Sequence, residues 1–431
     1  MMRKFNRILI LFLLFVLILS STSFATVGIE NEVSAYLLGD FETGEILEEY
    51  NIYKPVEIAS ITKLMSYLII MEDVQRGKIS LDDVVYIDKD TAEIKGSSLE
   101  LQEGESFTVG ELLKAVLVVS ANDATYALSK YAEGTEEAFV RRMNDKAKSL
   151  GLKSTVYFNS TGLPQGDVQN MMSPEDIFNL SRYIIDKYPE ILSVTTIPYI
   201  EVPSRNYKEE NTDPLLNEIN GVDGLKTGFT NKAGYCLVST IGVNGKTTKD
   251  KDFRLIGIVM GTKSEGKRKE LGKTVVQYGL DNYSKRIVTD KNTSIDTIHM
   301  AKSKDKEIEV YPEKNYSTMF KNGDTLDVNI TIDEEIKLPL KEFDKVGKAT
   351  ILKNNEVIDE MDLLVHKDVK KEGLFRVIGR NIKEFLSFLF SKITGWQGEN
   401  SNWQILKFNV EYINVNTKCA SVAQKDRAAP S

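Results

Sequence analysis

Three short motifs constrain this chain more than any other feature, because their side chains can act only if the fold brings them together. In order they are Ser60-Ile61-Thr62-Lys63, Ser120-Ala121-Asn122 and Lys226-Thr227-Gly228. The first places a hydroxyl and an amine one helical turn apart, so that the lysine can deprotonate the serine. The second adds a hydroxyl and an amide, and the third adds a cation and a hydroxyl beside a glycine that permits close backbone approach. Together they predict an acyl-transfer site for an anionic peptide end.

The Ser-x-x-Lys pattern is weak evidence by itself, because it occurs again at residues 264–267 and 303–306. Context separates the three matches. Ser60 follows a turn-prone Lys54-Pro55 and opens an apolar run over residues 64–71, which is long enough for a buried helix. The other two matches lie in charged stretches. Ser60 is therefore the candidate nucleophile.

With these motifs the chain resembles the penicillin-binding serine D-alanyl-D-alanine carboxypeptidases, the low-molecular-mass enzymes of peptidoglycan maturation. The likeness runs from about Val33 to a C-terminal helix and includes Gly96-Ser97-Ser98-Leu99-Glu100-Leu101 and Lys226-Thr227-Gly228-Phe229-Thr230. It implies an α/β (α+β) fold: a β-lactamase/transpeptidase-like antiparallel sheet flanked by helices, then a small all-β domain and a C-terminal amphipathic helix. The implied partners are peptidoglycan stem peptides ending in D-Ala-D-Ala and β-lactam antibiotics.

The resemblance also implies the catalytic roles. Ser60 attacks the carbonyl between two D-alanines, and Lys63 takes its proton. Lys63 must then be neutral, which requires burial and the like charge of Lys226 to lower its pKa. Ser120 is expected to bridge Lys63 and Lys226 and to relay a proton to the leaving amine.

The same resemblance assigns the substrate-binding residues. Asn122 is expected to hold the substrate's amide, and Lys226 and Thr227 its terminal carboxylate. The backbone N–H groups of Ser60 and Phe229 would form the oxyanion hole. Arg268 is a candidate carboxylate ligand, with a solvated surface arginine as the alternative. The full set of predicted substrate-binding residues is Asn122, Lys226, Thr227, Gly228, Phe229 and Arg268.

Composition argues against several other classes of site. The two histidines, His299 and His366, lie far downstream of the motifs, which argues against a Ser-His-Asp triad. With only Cys236 and Cys419 besides them, no metal-ligand spacing appears, and no phosphate loop or dinucleotide motif stands where it would be needed. We expect no metal and no cofactor. The formal net charge of −8 also argues against nucleic acid as a partner.

The first 25 residues are predicted to be a secretory signal peptide. Arg3, Lys4 and Arg7 precede an apolar core over residues 8–19, and small residues before Ala25 suit cleavage after that position. An uncleaved N-terminal anchor is the alternative, although the apolar core is shorter than the roughly 20 residues that a membrane span prefers. The protein is expected to be exported to the outer face of the bacterial cytoplasmic membrane.

Periodicity predicts four further segments. Residues 26–282, which mix strand and helix patterns, form the predicted catalytic domain. Helices are expected at residues 109–119, 122–131, 136–149 and 174–186, and strands at 234–242 and 253–260 are expected to pair with the segment that carries the third motif. Residues 283–367 alternate as in a small all-β domain, with one strand expected at 336–338 and turns at Asn322-Gly323 and Asn354-Asn355. This domain is either a spacer or a docking surface for other wall enzymes. Residues 368–396 carry an amphipathic helix at 374–396, and residues 397–431 are a tail of unknown role. Apolar residues on one face of that helix and basic residues on the other favour the membrane interface, with a helix docked on a protein core as the alternative.

Three other functions remain open from the sequence. A class A β-lactamase needs a glutamate on a loop, and Glu175-Asp176-Ile177-Phe178-Asn179 comes close to that motif, although Ser173-Pro174-Glu175 is typical of a helix start. A cross-linking transpeptidase would use the same residues with an amine acceptor. A catalytically silent wall-binding scaffold would keep the fold without the reaction.

Overall fold

The computed structural model describes residues 27–373 together with 378–379, 382–383 and 385–389. The chain divides into two compact units, with the boundary between Ser284 and Lys285. The predicted signal peptide, most of the predicted helix 374–396 and the tail 397–431 lie outside the described residues. The residues that are described between 378 and 389 are helical. Within the described part of the chain, no helix combines the length and the apolar character needed to cross a membrane.

The first unit contains both short and long strands. In chain order they are β1 (Ala35–Asp40), β2 (Ile46–Tyr50), β3 (Val56–Glu57), β4 (Val84–Tyr86), β5 (Ser106–Thr108), β6 (Met171–Met172), β7 (Tyr199–Val202), β8 (Tyr207–Glu210), β9 (Val222–Thr230), β10 (Gly234–Val243), β11 (Asp250–Lys251) and β12 (Phe253–Thr262).

The helices of the first unit alternate with these strands along the chain. They are α1 (Lys63–Gln75), α2 (Lys89–Ala92), α3 (Val109–Val118), α4 (Asn122–Glu133), α5 (Glu136–Ser149), α6 (Pro174–Lys187), α7 (Ile191–Thr195) and α8 (Glu265–Asn282). Two 3₁₀ helices, Ala59–Thr62 and Pro203–Arg205, complete the unit.

A five-stranded antiparallel sheet forms the centre of this unit, in the order β2-β1-β12-β10-β9. Helix α8 contacts β12 and β10, and α6 contacts β1, so that helices pack against the sheet. Every residue of β1 is buried, because this central strand is covered on both faces. Its mostly apolar sequence suits that position. The antiparallel sheet flanked by helices is confirmed. Strand β9, which carries the third motif, pairs with β10 as predicted, whereas β12, which is predicted to pair with the same segment, pairs with β10 and β1 instead.

Local signals explain where the helices begin. A reciprocal capping box between Thr108 and Glu111 starts α3, and the Ser173 side chain accepts from the Asp176 backbone N–H at the start of α6. The predicted helices at 109–119, 122–131, 136–149 and 174–186 agree with α3 to α6 within two residues at each end. Helix α1 is buried from Lys63 to Asp73 and so occupies the core, as its continuous apolar run predicts.

The second unit is built from strands. They are β13 (Tyr283–Thr289), which crosses the boundary, β14 (Asp296–His299), β15 (Glu307–Pro312), β16 (Tyr316–Lys321), β17 (Leu326–Ile332), β18 (Lys345–Lys353) and β19 (Glu356–Leu364).

Five of these strands form one sheet in the order β14-β15-β19-β18-β17 over an apolar core. The turn at Asn354-Asn355 joins β18 to β19 with two positive φ angles, 54° and 67°, as a two-residue hairpin turn requires. The prediction of a strand at residues 336–338 is wrong. These three residues lie outside the strands, and Pro339, which follows them, has no N–H to donate to a ladder.

Residues 159–163 run unusually close to the 3₁₀ helix that carries Ser60. The Asn159 side chain accepts a hydrogen bond from the Gly162 backbone N–H at 2.7 Å and closes a tight turn. Gly162 has a φ of +86°, and a Cβ there would lie 2.0 Å from the Ala59 carbonyl oxygen and 3.0 Å from the Ser60 nitrogen. Because the crowding atoms are backbone, only glycine permits this approach.

We predict that Gly162→Ala lowers the free energy of unfolding by about 3 kcal/mol, because a positive φ and a backbone clash add. Gly166→Ala is the matched control: its φ is +61°, but no atom lies within 4 Å of the added Cβ. It should lose only about 1 kcal/mol. Urea denaturation followed by far-UV circular dichroism measures both, since the long helices lie in the first unit. Equal losses would contradict the argument from close approach.

Candidate active site

Ser60 and Lys63 meet at the junction of two helices. Ser60 lies on the 3₁₀ helix Ala59–Thr62, and Lys63 is the first residue of α1. The distance from Lys63 Nζ to Ser60 Oγ is 2.8 Å. Ala59, immediately before Ser60, has a φ of +47°, a left-handed conformation that is uncommon for alanine. The nucleophile is therefore presented from a strained turn, a feature typical of active sites.

The Lys63 amine has two further oxygen partners. It donates to Asn122 Oδ1 at 2.7 Å and to the Thr161 carbonyl oxygen at 2.8 Å. The side chain is fully buried. Burial lowers the pKa of Lys63 well below its ordinary value, the charge of Lys226 lowers it further, and Asp123 opposes the shift. A neutral amine within hydrogen-bond distance of a hydroxyl can act as its general base.

The second motif follows α3 and opens α4. Ser120 has a φ of +60°, and its buried Oγ has no hydrogen-bond partner among the residues that the structure describes. The predicted bridge from Ser120 to Lys63 and Lys226 is therefore absent as direct hydrogen bonds. The reason is that Lys63 donates to the oxygens named above, and Lys226 Nζ donates to the Thr227 carbonyl at 3.0 Å.

Asn122 holds two parts of the site together. Its Oδ1 accepts from Lys63, and its Nδ2 donates to the Lys95 carbonyl oxygen at 2.9 Å. The neighbouring Asp123, which sequence reasoning missed, is buried and accepts from the backbone N–H groups of Leu99 and Leu101. Asn122 and Asp123 thus fix the segment before the second motif against α4.

The third motif lies on β9, beside the nucleophile. Lys226 is buried, and its pKa falls to about 7, first because of burial and then because of the positive charge of Arg268, while Asp213 opposes the shift. Thr227 Oγ1 donates to Thr212 Oγ1 at 2.8 Å. A Cβ at Gly228 would lie 2.9 Å from the Ile58 carbonyl oxygen and 3.2 Å from the Ser60 nitrogen. The close approach expected of this glycine is confirmed.

Two predicted residues lie at the margin of the third motif. The side chain of Phe229 is 48% exposed and stacks on Tyr235, with ring centroids 4.1 Å apart. Arg268, on α8, is only 5% exposed, and its Nη2 lies 3.1 Å from Glu265 Oε1. Since its charge also acts on Lys226, the alternative of a solvated surface arginine is wrong.

Sequence reasoning missed three other contributors. Thr161 supplies a carbonyl oxygen to Lys63, Thr212 partners the Thr227 hydroxyl, and Asp213 is a buried carboxyl that acts on Lys226. Residues 159–162, Asn-Ser-Thr-Gly, carry a turn signal, but nothing in the sequence indicates which carbonyl the turn presents. Threonine and aspartate on a connecting loop carry no signal of their own.

Two other predictions concern metals and the β-lactamase alternative. Residues 27–373 and the shorter described stretches contain no group of three or more His, Cys, Asp or Glu side chains that could hold a metal ion. Cys236 is buried in β10 as a free thiol. The helix start expected at Ser173-Pro174-Glu175 is confirmed, and Glu175 lies in the first turn of α6 rather than on a loop.

Comparison with known proteins agrees with this geometry. Residues 22–264 match the D-alanyl-D-alanine carboxypeptidase family, and residues 283–371 match the penicillin-binding protein 5, C-terminal domain. The chain is 30% identical to the D-alanyl-D-alanine carboxypeptidase DacF of Bacillus subtilis over 369 residues, which cover 84% of this chain and 92% of that protein.

Solved structures give the same result. Penicillin binding protein 5 from Haemophilus influenzae superposes with a TM-score of 0.62 at 25% identity, covering 79% of this chain and 98% of that one. Penicillin-Binding Protein D2 from Listeria monocytogenes, in its ampicillin-bound form, gives 0.52 at 32% identity over 58% of this chain and 98% of its own. This chain belongs to the D-alanyl-D-alanine carboxypeptidase family of serine hydrolases.

Proposed function

We propose that the chain removes the terminal D-alanine from peptidoglycan stem peptides through an acyl-enzyme on Ser60, and that β-lactams acylate the same residue. The observation that carries the proposal is the fully buried Lys63 amine, 2.8 Å from Ser60 Oγ, with its pKa lowered. A neutral lysine is a sufficient base for a serine hydroxyl, so the reaction needs no histidine.

Acylation follows from this arrangement. Ser60 Oγ attacks the carbonyl carbon between the two D-alanines while its proton passes to Lys63 Nζ. The tetrahedral intermediate collapses as the C–N bond breaks, and the leaving amine takes a proton that originates on Lys63. Ser120 relays that proton, since its buried Oγ is not committed to another group within the described residues. Water then hydrolyses the ester and restores Ser60.

Three groups of atoms hold the substrate. Lys226, Thr227 and Arg268 bind the terminal carboxylate, because two buried cations beside a hydroxyl suit an anion. The backbone N–H groups of Ser60 and Phe229 stabilise the oxyanion, an effect worth about 3 kcal/mol per donor. The close approach of Gly228 to the Ser60 nitrogen supports that pairing. Asn122, anchored by Lys63 and Lys95, orients the substrate's amide.

The same residues would serve a β-lactamase or a transpeptidase, which differ in how the acyl-enzyme is discharged. A class A β-lactamase uses a loop glutamate for deacylation. Glu175 belongs to the capped first turn of α6, which favours the carboxypeptidase. We retain hydrolysis over cross-linking because the family that matches residues 22–264 is one of carboxypeptidases.

The location is proposed on the same basis. An exported precursor with a signal peptide at residues 1–25 would act on the outer face of the cytoplasmic membrane. The helical residues described near the C-terminus support a peripheral anchor, since their large apolar side chains are exposed: Ile378, Ile382, Phe385, Leu386, Phe388 and Leu389.

Replacing the nucleophile gives the first test of this function. Ser60→Ala should abolish both the covalent adduct with benzylpenicillin and D-alanine release from a D-alanyl-D-alanine peptide, because no other hydroxyl lies in its place. Intact mass, peptide mapping and a D-alanine assay measure these effects. Ser303→Ala, which removes the serine of a second Ser-x-x-Lys match, should keep both. An adduct that persists in Ser60→Ala would refute the assignment.

The lysine pair predicts a pH effect. Acylation needs neutral Lys63, so its rate falls as the pH drops through the Lys63 pKa. The positive charge of Lys226 lowers that pKa. Lys226→Met removes this charge and should therefore move the acid limb of the rate of acylation at saturating benzylpenicillin to higher pH. A limb that stays in place, or moves to lower pH, would contradict the proposed coupling.

The membrane proposal has its own test. The full chain should sediment with phosphatidylglycerol vesicles, whereas a chain ending at Gly373 should stay in the supernatant. Phe385→Ser combined with Leu389→Ser should weaken sedimentation, because both remove apolar area from the proposed membrane face. Ser387→Ala, on the opposite face, should leave it unchanged. Binding that survives truncation at Gly373 would place the membrane contact elsewhere.

A further inference from the structure

A buried carboxyl group lies in the loop between β8 and β9, one residue after Thr212, which is the hydrogen-bond partner of Thr227. Asp213 is buried. Its backbone N–H donates to Asn211 Oδ1 at 2.9 Å, and its own Oδ1 accepts from the Leu215 backbone N–H at 2.9 Å. Its Oδ2 has no hydrogen-bond partner within the described residues. A buried carboxylate oxygen without a donor is costly, so its presence calls for a reason.

The charged groups that face Asp213 supply that reason. They are Lys226 on β9, Arg268 on α8 and the like charge of Asp223, also on β9. Asp223 is already paired with Arg254 at 2.7 Å. Arg268 contacts Glu265 through Nη2, while its buried Nε has no partner in the described part of the chain.

Lys226 and Arg268 are thus two buried cations of like charge. The charge of Arg268 lowers the pKa of Lys226, and burial lowers the pKa of both side chains. Asp213 is the carboxyl group whose charge favours both cations at once. Without it, a buried positive pair would lack a shared counter-charge until an anionic substrate arrives.

The loop that carries Asp213 is fixed to the substrate-binding strand. Thr212 donates its backbone N–H to the Val118 carbonyl at 3.0 Å. Its hydroxyl accepts from Thr227 Oγ1 at 2.8 Å. The carboxyl group is therefore held at a constant place relative to the hydroxyl and cations of the third motif.

We propose that Asp213 is a positioning residue for the substrate's terminal carboxylate: as the counter-charge of Lys226 and Arg268, it keeps Lys226 charged and holds both cations in place in the free enzyme. The inference rests on the proposed function, because it assumes that these cations bind that carboxylate. Asp213 itself does not touch the substrate.

The ionisation of Asp213 gives this role a pH signature. Burial raises the pKa of Asp213 to about 6, while hydrogen bonding from Leu215 and the two cations oppose the shift. Above this pH the ionised carboxylate supports the charge of Lys226, whose pKa is about 7. Below it, Asp213 is neutral, and Lys226 is protonated in any case. Removing the carboxylate should therefore impair substrate binding at alkaline pH and leave it unchanged in acid.

The test compares the wild-type chain with Asp213→Asn, which keeps the acceptor for Leu215 and removes the charge. At pH 5 the two should have equal KM for a tripeptide ending in D-Ala-D-Ala. At pH 8 the variant's KM should be about tenfold higher, the effect of lowering the Lys226 pKa by one unit. Asp223→Asn, which removes a neighbouring carboxylate paired with Arg254, should match wild type at both pH values.

A KM ratio that stays the same from pH 5 to pH 8 would overturn the proposal, because a purely structural role moves both values alike. If Asp213→Asn fails to fold, Asp213→Ser supplies the same comparison, since its hydroxyl can accept from Leu215.

Benzylpenicillin, which also carries a carboxylate, separates this inference from the function. If wild type is acylated but releases no D-alanine, the carboxypeptidase assignment fails. The ratio of the acylation rate of Asp213→Asn to that of wild type, compared between pH 5 and pH 8, still decides the role of Asp213. A chain that does neither overturns both.

Discussion

The active site depends on one buried amine. Lys63 Nζ lies among Ser60 Oγ, Asn122 Oδ1 and the Thr161 carbonyl, so that a single group joins the nucleophile turn, helix α4 and the turn at residues 159–163. Burial favours the neutral form that can accept a proton, and the oxygens hold it in position. Desolvation penalises a charged lysine anywhere in a protein core. At Lys63 this penalty keeps the amine neutral, so that it can act as the base.

Close backbone approach is the second requirement. Gly228 brings β9 against the nucleophile turn, and Gly162 brings the Asn159 turn against the same turn. Each approach leaves no room for a Cβ, so the geometry at Ser60 is enforced by backbone rather than by flexible side chains. The strained φ of Ala59 and of Ser120 fits this picture, since surrounding packing must maintain such conformations.

Charge is arranged around the same motifs. Lys226 lowers the affinity of Lys63 for protons, and Arg268 adds a second buried positive group beside Lys226. Asp213 opposes this accumulation of positive charge. The site can therefore hold a neutral base and a cationic carboxylate pocket within one protein interior, where unscreened charges act strongly.

Much of the fold could be predicted from the sequence, because its signals are local. Caps and apolar periodicity located α3 to α6, the continuous apolar run located α1, and the Asn354-Asn355 pair located a hairpin turn. The failure at residues 336–338 has a local cause too, since alternating apolar residues beside Pro339 look like a strand but cannot extend a ladder.

The sequence by itself determined the chemistry: a hydroxyl one turn from an amine, a second hydroxyl with an amide, and a cation beside a glycine. Only the tertiary structure decided how these groups are joined. It buried Arg268, left Ser120 Oγ without a bond in the described part of the chain, and recruited Thr161, Thr212 and Asp213 from loops. A sequence motif identifies the side chains that react. Burial, the direction of a carbonyl group and the coupling between charges depend on contacts between residues far apart in the chain, so a motif does not reveal them.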